Sequence, residues 1–298
     1  MTNRRDIFDE GFLARLQRLA LIAKQRADRG PGLTQRSARL GDGLEFADHR
    51  DYAAGDDVRF VDWPYYARME KLLLRLFHQH SDARVAVLLD VSASMAPSGG
   101  AEKFRHALRA AAALAYVAVA SLRRVTIQPF ADALGPPLHA GRRSDQFVPV
   151  LDFLASLEPG GKTDFPLCAK RLAGTLEAGA AVLILSDLLG FGGGLDDGLA
   201  RLAFARCDLT VLHVYSPAEA RPDLAGPVLL AQGEDGRQLG LQVTQAVLQE
   251  YGRQWDSFLA RCRRHCLARG AVYVPVPCDL SLERLVLGCL RRAGVLAG

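Results

Sequence analysis

Hydrophobic and polar positions follow two different patterns along the chain, and the change lies near residue 84. Before it, apolar residues recur every three or four positions over residues 9–27, which predicts an amphipathic helix. A polar stretch rich in Gly and Asp covers residues 33–70, and residues 72–77 predict a strand. Beyond residue 84, short and nearly continuous apolar runs alternate with helical patterns. The predicted strands cover 85–89, 125–127, 181–185, 209–214 and 271–274, and the predicted helices cover 102–121, 145–156, 165–178, 196–205, 244–269 and 281–293.

Strands without inside/outside alternation are buried on both faces, which is typical of a parallel sheet flanked by helices. We therefore expect a doubly wound, mostly parallel α/β domain over residues 84–298, preceded by an N-terminal extension of residues 1–83. Asp235-Gly236 between apolar stretches predicts a hairpin within residues 227–243. Ligands of doubly wound sheets bind at the carboxyl ends of the strands, so functional residues are expected there.

Composition narrows the functional classes. The chain has 298 residues and is 49% hydrophobic, enough to bury a core without a disulfide or a metal ion. Its net charge of +4, from 37 Lys+Arg against 33 Asp+Glu, is small for a dedicated nucleic-acid binder. The longest apolar run, 110–122, is shorter than a membrane span, and no apolar stretch of signal-peptide length follows the N-terminus. We expect a cytoplasmic protein with neither a nucleic-acid partner nor a membrane span.

Oxygen-bearing side chains follow two of the predicted strands and one glycine turn. Three of them stand at i, i+2 and i+4 on the loop after the first sheet strand, a spacing that lets them converge. A threonine follows the turn Gly160-Gly161, and an aspartate follows strand 181–185 and faces the first loop if the two strands are neighbours. Hydroxyl and carboxylate oxygens are the hard donors that Mg²⁺ prefers. These five residues, called the oxygen cluster below, are Asp90, Ser92, Ser94, Thr163 and Asp187.

The alternative is that these residues only form turns and helix caps, as Ser and Asp often do after a strand. For Ser92 and Ser94 alone we would favour that interpretation. All five residues stand in the order of a known metal-binding motif, and because of that resemblance we favour a metal site.

The order Asp-x-Ser-x-Ser, a later Thr and a later Asp resembles the metal-ion-dependent adhesion site of von Willebrand factor A domains, whose sheet is Rossmann-like. The resemblance implies that the hydroxyls of Ser92 and Ser94 bind the metal directly and that Thr163 binds directly or through water. It implies that Asp90 and Asp187 act mainly through water. The implied cofactor is Mg²⁺, with Mn²⁺ or Ca²⁺ as alternatives, and the open coordination position takes a carboxylate from a client protein.

The segment before the sheet domain resembles the signature of the domain-of-unknown-function fifty-eight family (DUF58). Residues 43–63 read GLEFADHRDYAAGDDVRFVDW, and Ala67-Arg68 follow. The resemblance implies a von Willebrand A-like domain after this segment and a MoxR-type AAA ATPase as partner. We therefore expect a metal-dependent interaction module that serves as an adaptor for such an ATPase.

The charges of this segment allow two interpretations. One is a partner-docking surface, and the other is an internal ion-pair network that clamps the segment to the sheet domain; we favour the network. The candidate partner-binding residues are Glu45, Arg50, Asp56, Asp57, Arg59, Asp62, Trp63 and Arg68.

An enzyme is the alternative function, a metal-dependent hydrolase or phosphotransferase with Asp90 as nucleophile. Phosphotransferases of the haloacid-dehalogenase type need a second Asp two residues on, where this chain has Ser92, and no Gly-x-Ser-x-Gly motif follows the strand.

Cys262, His265 and Cys266 have no fourth ligand nearby, so we expect core residues there and not a zinc site. We expect no catalytic residues.

Overall fold

The structure is a computed structural model, and it describes residues 4–27, 45–53, 56–78, 84–96, 103–121, 123–140, 147–231 and 238–289. The helices are α1 (Arg4–Ile7), α2 (Phe12–Ala27), α3 (Trp63–Met69), α4 (Lys103–Ala120), α5 (Val148–Ser156), α6 (Phe165–Ala173), α7 (Gly194–Phe204), α8 (Pro217–Ala220), α9 (Gln245–Ala268) and α10 (Leu282–Arg284). The strands are β1 (Glu45–Asp51), β2 (Leu73–His78), β3 (Arg84–Asp90), β4 (Arg124–Phe130), β5 (Leu138–Ala140), β6 (Ala181–Ser186), β7 (Asp208–Tyr215), β8 (Gly226–Ala231), β9 (Gln238–Val243) and β10 (Val272–Pro277).

A six-stranded mixed sheet forms the centre of the larger unit, in the order β10-β7-β6-β3-β4-β5. The first five strands are mutually parallel, and β5 pairs antiparallel with β4 at the edge. The predicted α/β class is confirmed. The sheet is not wholly parallel because the chain turns back after β4 and adds the short β5 beside it.

Helices cover both faces of this sheet. On one face Val87 and Leu89 of β3 join an apolar cluster with α2, α4 and α5. On the other face Ala86 and Leu88 join a cluster with α6, α7 and α9. Because both sets of alternate side chains are buried, β3 is apolar throughout, which is why the sequence shows a continuous run there.

The described residues fall into two compact units. One combines those within 1–29 with those within 84–298, and the other contains those within 30–83. The helices α1 and α2 thus belong to the unit of the sheet: Phe12 and Leu16 are buried in the same cluster as the apolar side chains of α4. The Arg109 side chain of α4 also donates a hydrogen bond to the Ile7 carbonyl (2.6 Å). Residues 1–83, which the sequence pattern groups as one extension, are divided between the two units.

The smaller unit consists of the antiparallel pair β1–β2 together with α3. Asp62 begins α3, since its carboxylate accepts the backbone N–H of Tyr65 (2.9 Å). The pair β1–β2 carries a bulge between Phe46 and Asp48.

Several predicted elements differ from the structure at their ends; the predicted helix 165–178, for example, ends at Ala173 as α6. The predicted helix 281–293 is a single turn, α10, followed by a π-helical turn at Leu285–Cys289, and residues beyond 289 lie outside the described ones. The predicted hairpin is present as β8 and β9, but Asp235-Gly236 lie outside the described residues. Within the described ranges, none of the helices combines the length and the apolar character needed to cross a membrane.

Candidate metal centre

Two neighbouring strands carry the aspartates of the oxygen cluster to the same edge of the sheet. β3 and β6 are parallel, with Leu89 opposite Leu185, so Asp90 lies at the level of Ser186 and Asp187 follows one residue further on. The condition that the sequence analysis attached to this placement, that the two strands are neighbours, is therefore met. Leu188, directly after Asp187, has φ +60°, a left-handed conformation that a leucine adopts only under constraint from its surroundings.

The loop after β3 folds back on these aspartates through hydrogen bonds. The backbone N–H of Ser92 donates to Asp90 Oδ1 (2.9 Å), and the hydroxyls of Ser92 and Ser94 are 3.0 Å apart. The Ser94 hydroxyl donates to Asp187 Oδ1 (3.1 Å). A chain of hydrogen bonds thus connects four members of the oxygen cluster.

The capping alternative can be tested at Ser92. This residue precedes a 3₁₀ turn at Ala93–Met95 and occupies its N-cap position, yet its side chain makes no capping hydrogen bond. The Ser92 hydroxyl is directed to Ser94 instead. The local geometry therefore leaves this hydroxyl available to a shared ligand.

The fifth member, Thr163, lies on a loop that is bound to the loop after β3. The backbone N–H of Gly160 donates to the Val91 carbonyl (2.7 Å), and that of Ala93 donates to the Gly161 carbonyl (2.9 Å). Thr163 Oγ1 is buried, and it has no hydrogen-bond partner among the described residues. Leaving a buried hydroxyl unpaired costs about 1–3 kcal/mol. A metal ion that accepts this oxygen as a ligand would remove the cost, so the donor set fits a hard divalent cation.

The charges of the two aspartates also favour a cation. The side chains of Asp90 and Asp187 are almost completely buried, at 0% and 1% exposure. Burial, followed by the nearby carboxylate of Asp187, raises the pKa of Asp90 to about 6. Two buried carboxylates at one sheet edge disfavour each other's ionised form unless positive charge is supplied.

Part of that positive charge comes from Lys103, which the sequence analysis did not identify as a site residue. Its Nζ is 2.8 Å from Asp187 Oδ2 and 2.5 Å from Glu219 Oε1, and the side chain is 1% exposed. Burial by itself lowers the pKa of Lys103, but the two carboxylates outweigh it and hold the pKa above its ordinary value. Lys103 is therefore a buried ammonium ion at the edge of the oxygen cluster.

Glu219 connects this ion pair to the loop after β7. Its second oxygen accepts the backbone N–H of Ser216 (2.8 Å), as part of the capping box that begins α8. Its backbone carbonyl accepts the hydroxyl of Tyr251 on α9 (2.6 Å). The position of Lys103 is thus fixed from both α8 and β6.

The described residues offer no second metal site built from His, Cys, Asp or Glu side chains. Across the described ranges, no three His, Cys, Asp or Glu side chains gather in an arrangement that would hold a metal ion. The oxygen cluster differs because three of its five donors are hydroxyls. Cys262 and Cys266 are on the buried face of α9. The Nδ1 atom of His265, between them, lies 3.5 Å from Asp196 Oδ1.

The charged segment of the smaller unit contains local ion pairs. Arg50 lies 2.8 Å from Asp56, and Arg59 lies 2.7 Å from Asp57. Asp57 also accepts the backbone N–H of Arg59 (3.0 Å), which begins a 3₁₀ turn at Val58–Phe60. These ion pairs lie inside the segment, so the network that clamps the segment to the sheet domain and the docking surface both stay predictions.

Three of the remaining candidate partner residues belong to α3 or to its N-cap: Asp62, Trp63 and Arg68. Trp63 is 55% exposed and packs edge-on against Tyr66, with ring centroids 6.2 Å apart. Arg68 donates to the Pro64 carbonyl (3.1 Å) within the same helix. The side chain of Glu45 lies outside the described ones.

Comparisons with known proteins give one family and several relatives. The family described as "Protein of unknown function DUF58" matches residues 48–257. Uncharacterized proteins of Mycobacterium bovis and Mycobacterium tuberculosis are each 25% identical to this chain over 303 residues, covering 99% of this chain and 94% of theirs.

Two solved structures are similar at lower identity. An aerotolerance-related membrane protein from Bacteroides fragilis is 18% identical with a TM-score of 0.42, covering 70% of this chain and 99% of its own. The conserved hypothetical protein BatB from Bacteroides thetaiotaomicron is 16% identical with a TM-score of 0.43, covering 72% and 99%. Both TM-scores are below 0.5, so neither structure carries an argument about function.

Proposed function

Because the chain belongs to the DUF58 family of proteins of unknown function, we propose that its role lies in binding other proteins at the carboxyl edge of the central sheet. In this proposal the sheet domain is von Willebrand A-like and non-catalytic, and it binds a divalent cation, Mg²⁺ or else Mn²⁺ or Ca²⁺. The observation that carries the proposal is the buried hydroxyl of Thr163, which is unpaired among the described residues. It lies on a loop whose backbone is hydrogen-bonded to the loop that carries Ser92 and Ser94.

The residues of the oxygen cluster divide into two roles. The hydroxyls of Ser92, Ser94 and Thr163 would hold the metal. Asp90 and Asp187 would supply negative charge and fix the surrounding water molecules. When bound, the metal supplies an open coordination position for the carboxylate of a client protein, which is the chemistry by which the domain would recognise an acidic side chain.

The partner that the family resemblance implies is a MoxR-type AAA ATPase in the cytoplasm, with this chain as the adaptor that delivers the client. The exposed residues of the smaller unit, Trp63 among them, are the candidate contact surface for that ATPase.

Metal titration by calorimetry tests the binding site. The wild-type protein is expected to bind Mg²⁺ and Mn²⁺ at millimolar concentration or below, and Asp90→Ala is expected to lose that binding. Asp256→Ala, which removes an exposed carboxylate from α9, is the matched control and should bind like the wild type. Absence of binding to the wild type at millimolar metal would overturn the proposal, as would equal binding in Asp90→Ala.

Co-purification with a MoxR-type AAA ATPase of the same genome tests the adaptor role. The complex with client is expected to form with Mg²⁺, and to be lost with a chelator and in Asp187→Ala. A complex indifferent to both would show that the metal is not the bridge. Mg²⁺-dependent hydrolysis of a phosphate ester that disappears in Asp90→Ala would instead identify the enzyme of the alternative hypothesis.

A further inference from the structure

Lys103 places a positive charge inside the candidate metal centre without contributing a metal ligand. It is the first residue of α4, and its side chain is buried almost completely. Moving an ammonium ion out of water costs several kcal/mol unless opposite charges surround it. The carboxylates of Asp187 and Glu219, at 2.8 Å and 2.5 Å, meet that requirement.

Asp187 is shared between Lys103 and the oxygen cluster. Its Oδ2 accepts Lys103 Nζ, while its Oδ1 accepts the Ser94 hydroxyl (3.1 Å) and the backbone N–H of Leu189 (3.0 Å). Every cation bound by the oxygen cluster is therefore close to a fixed positive charge. The strength of its binding depends on that charge, because charges interact strongly where water is excluded.

We propose that Lys103 is a tethered counter-cation that matches the centre to a divalent metal. The inference rests on the metal site proposed above and concerns its selectivity. Asp90, Asp187 and Glu219 with Lys103 are three carboxylates and one ammonium, a formal charge of −2 that a divalent ion neutralises. Without Lys103 the formal charge is −3, which strengthens the binding of all cations and favours a trivalent ion most.

Two substitutions change this charge in opposite directions. Lys103→Met removes a positive charge and keeps a side chain of similar length, and Glu219→Gln removes a negative charge without changing the shape of the side chain. The probes are Mg²⁺, followed by calorimetry, and Tb³⁺, followed by its sensitised luminescence, both at pH 8. Lys103→Met is expected to bind Mg²⁺ at least about tenfold more tightly, and its affinity for Tb³⁺ is expected to rise by a larger factor. Glu219→Gln is expected to lower the affinity for both ions, and the affinity for Tb³⁺ by the larger factor. The affinities of the double variant are expected to return toward those of the wild type.

The opposite changes in metal affinity expected of Lys103→Met and Glu219→Gln distinguish an electrostatic role of Lys103 from a structural one. A purely structural Lys103 would give weaker binding in both single variants, and this result would overturn the inference, as would unchanged affinities. If Lys103→Met fails to fold, Glu219→Gln alone can still contradict the proposal. It does so if its affinity for Mg²⁺ rises or stays constant.

The two proposals fail in different ways. If the wild type binds metal and the variants match it, the metal site stands and the role of Lys103 falls. If the wild type binds no metal but Lys103→Met binds Mg²⁺, Lys103 excludes the metal instead of matching the centre to it, and both proposals are wrong. If none of the proteins binds, both are wrong.

Discussion

Thr163 carries a buried hydroxyl that finds no partner among the described residues, and this makes it a sensitive point for the metal hypothesis. Thr163→Val keeps the shape of the side chain and removes the unpaired oxygen. We expect the metal-free protein to gain about 1 kcal/mol in its free energy of unfolding, since an unsatisfied polar group is removed. We expect Mg²⁺ affinity to fall at least about tenfold. Urea denaturation with and without Mg²⁺ measures both effects.

Thr175→Val is the matched control for this substitution. The Thr175 hydroxyl donates to the Leu172 carbonyl (2.9 Å) after α6, away from the oxygen cluster. Its loss should lower the free energy of unfolding by about 0.5–1.5 kcal/mol and leave Mg²⁺ binding unchanged. If Thr163→Val were destabilising to the same degree and without effect on Mg²⁺, its hydroxyl would have a structural role only.

His106 gives a prediction for pH. It is buried on α4, and burial, followed by the nearby charge of Arg109, lowers its pKa to about 4. In the unfolded chain a histidine titrates near about 6.5. Neutral His106 thus contributes its full share of stability above pH 6.5, and this share is lost as pH falls from about 6.5 to about 4, amounting to up to about 3 kcal/mol.

Comparison with His106→Leu isolates that contribution. Burial also lowers the pKa of His213 to about 4. His213 is present in both proteins, so it makes the same contribution to the pH dependence of each. Asp90 acts in the opposite direction, because a raised carboxyl pKa means stability lost as pH rises through about 6. Unfolding free energies measured from pH 7.5 to pH 4 should fall less steeply for His106→Leu than for the wild type. Parallel curves would contradict a buried neutral His106.

At the residue level, the sequence predicted the oxygen cluster because residue type and spacing carry that information. Hydrogen bonds join the hydroxyls of Ser92 and Ser94 to each other and Ser94 to Asp187, whereas metal binding by these residues stays a prediction. Lys103 was missed because it is 84 positions from Asp187 and 116 from Glu219. Only the fold brings these three charges together, and a single lysine at the start of an apolar helix gives no signal of its own.

At the level of elements, α6 and α7 pack so closely that a glycine is required between them. A Cβ on Gly198 of α7 would lie 2.3 Å from the Phe165 ring of α6, and the ring is fully buried and stacked on Phe191. We expect Gly198→Ala to lower the free energy of unfolding by about 1–3 kcal/mol, because the ring cannot move without disturbing its neighbours. Denaturant unfolding at constant pH measures the change.

Gly252→Ala on α9 is the control, because it makes the same chemical change in a helix with open space. Apart from its chain neighbours and the backbone of its own helix, no described residue has an atom within 4 Å of a Cβ placed on Gly252. There the substitution should stabilise the protein by up to about 1 kcal/mol, since alanine favours the helix over glycine. Equal effects of the two substitutions would show that α6 and α7 are less tightly packed than the structure indicates.

The elements predicted best are those whose pattern follows from burial alone. β3 and β6 are buried on both faces and appear in the sequence as apolar runs. β1 was not predicted, since its sequence EFADHRD has few apolar residues and its pairing depends on β2. β5 has only three residues, too few to show a period of two.

At the level of the whole molecule, the N-terminal helix α2 is part of the core of the sheet domain. Its 3.6-residue period predicted an amphipathic helix, but a period does not tell which surface covers the apolar face. The structure gives that surface: Leu16 and Leu19 are buried in the cluster that also contains Tyr116 of α4. Segments far apart in sequence therefore stabilise one core.

Leu16→Ala tests whether α2 stabilises that core. The chain has two tryptophans, so a Trp63→Phe background leaves Trp255, buried in the sheet domain, as its only tryptophan reporter. In that background we expect Leu16→Ala to lower the unfolding free energy reported by Trp255 by about 2–5 kcal/mol, because Leu16 is fully buried. Leu21 of α2 is 58% exposed, so Leu21→Ala should change the same unfolding free energy by no more than about 0.5 kcal/mol. If both substitutions left the Trp255 transition unchanged, α2 would not belong to the cooperative core, and residues 84–298 would have to bury the face of α4 without it.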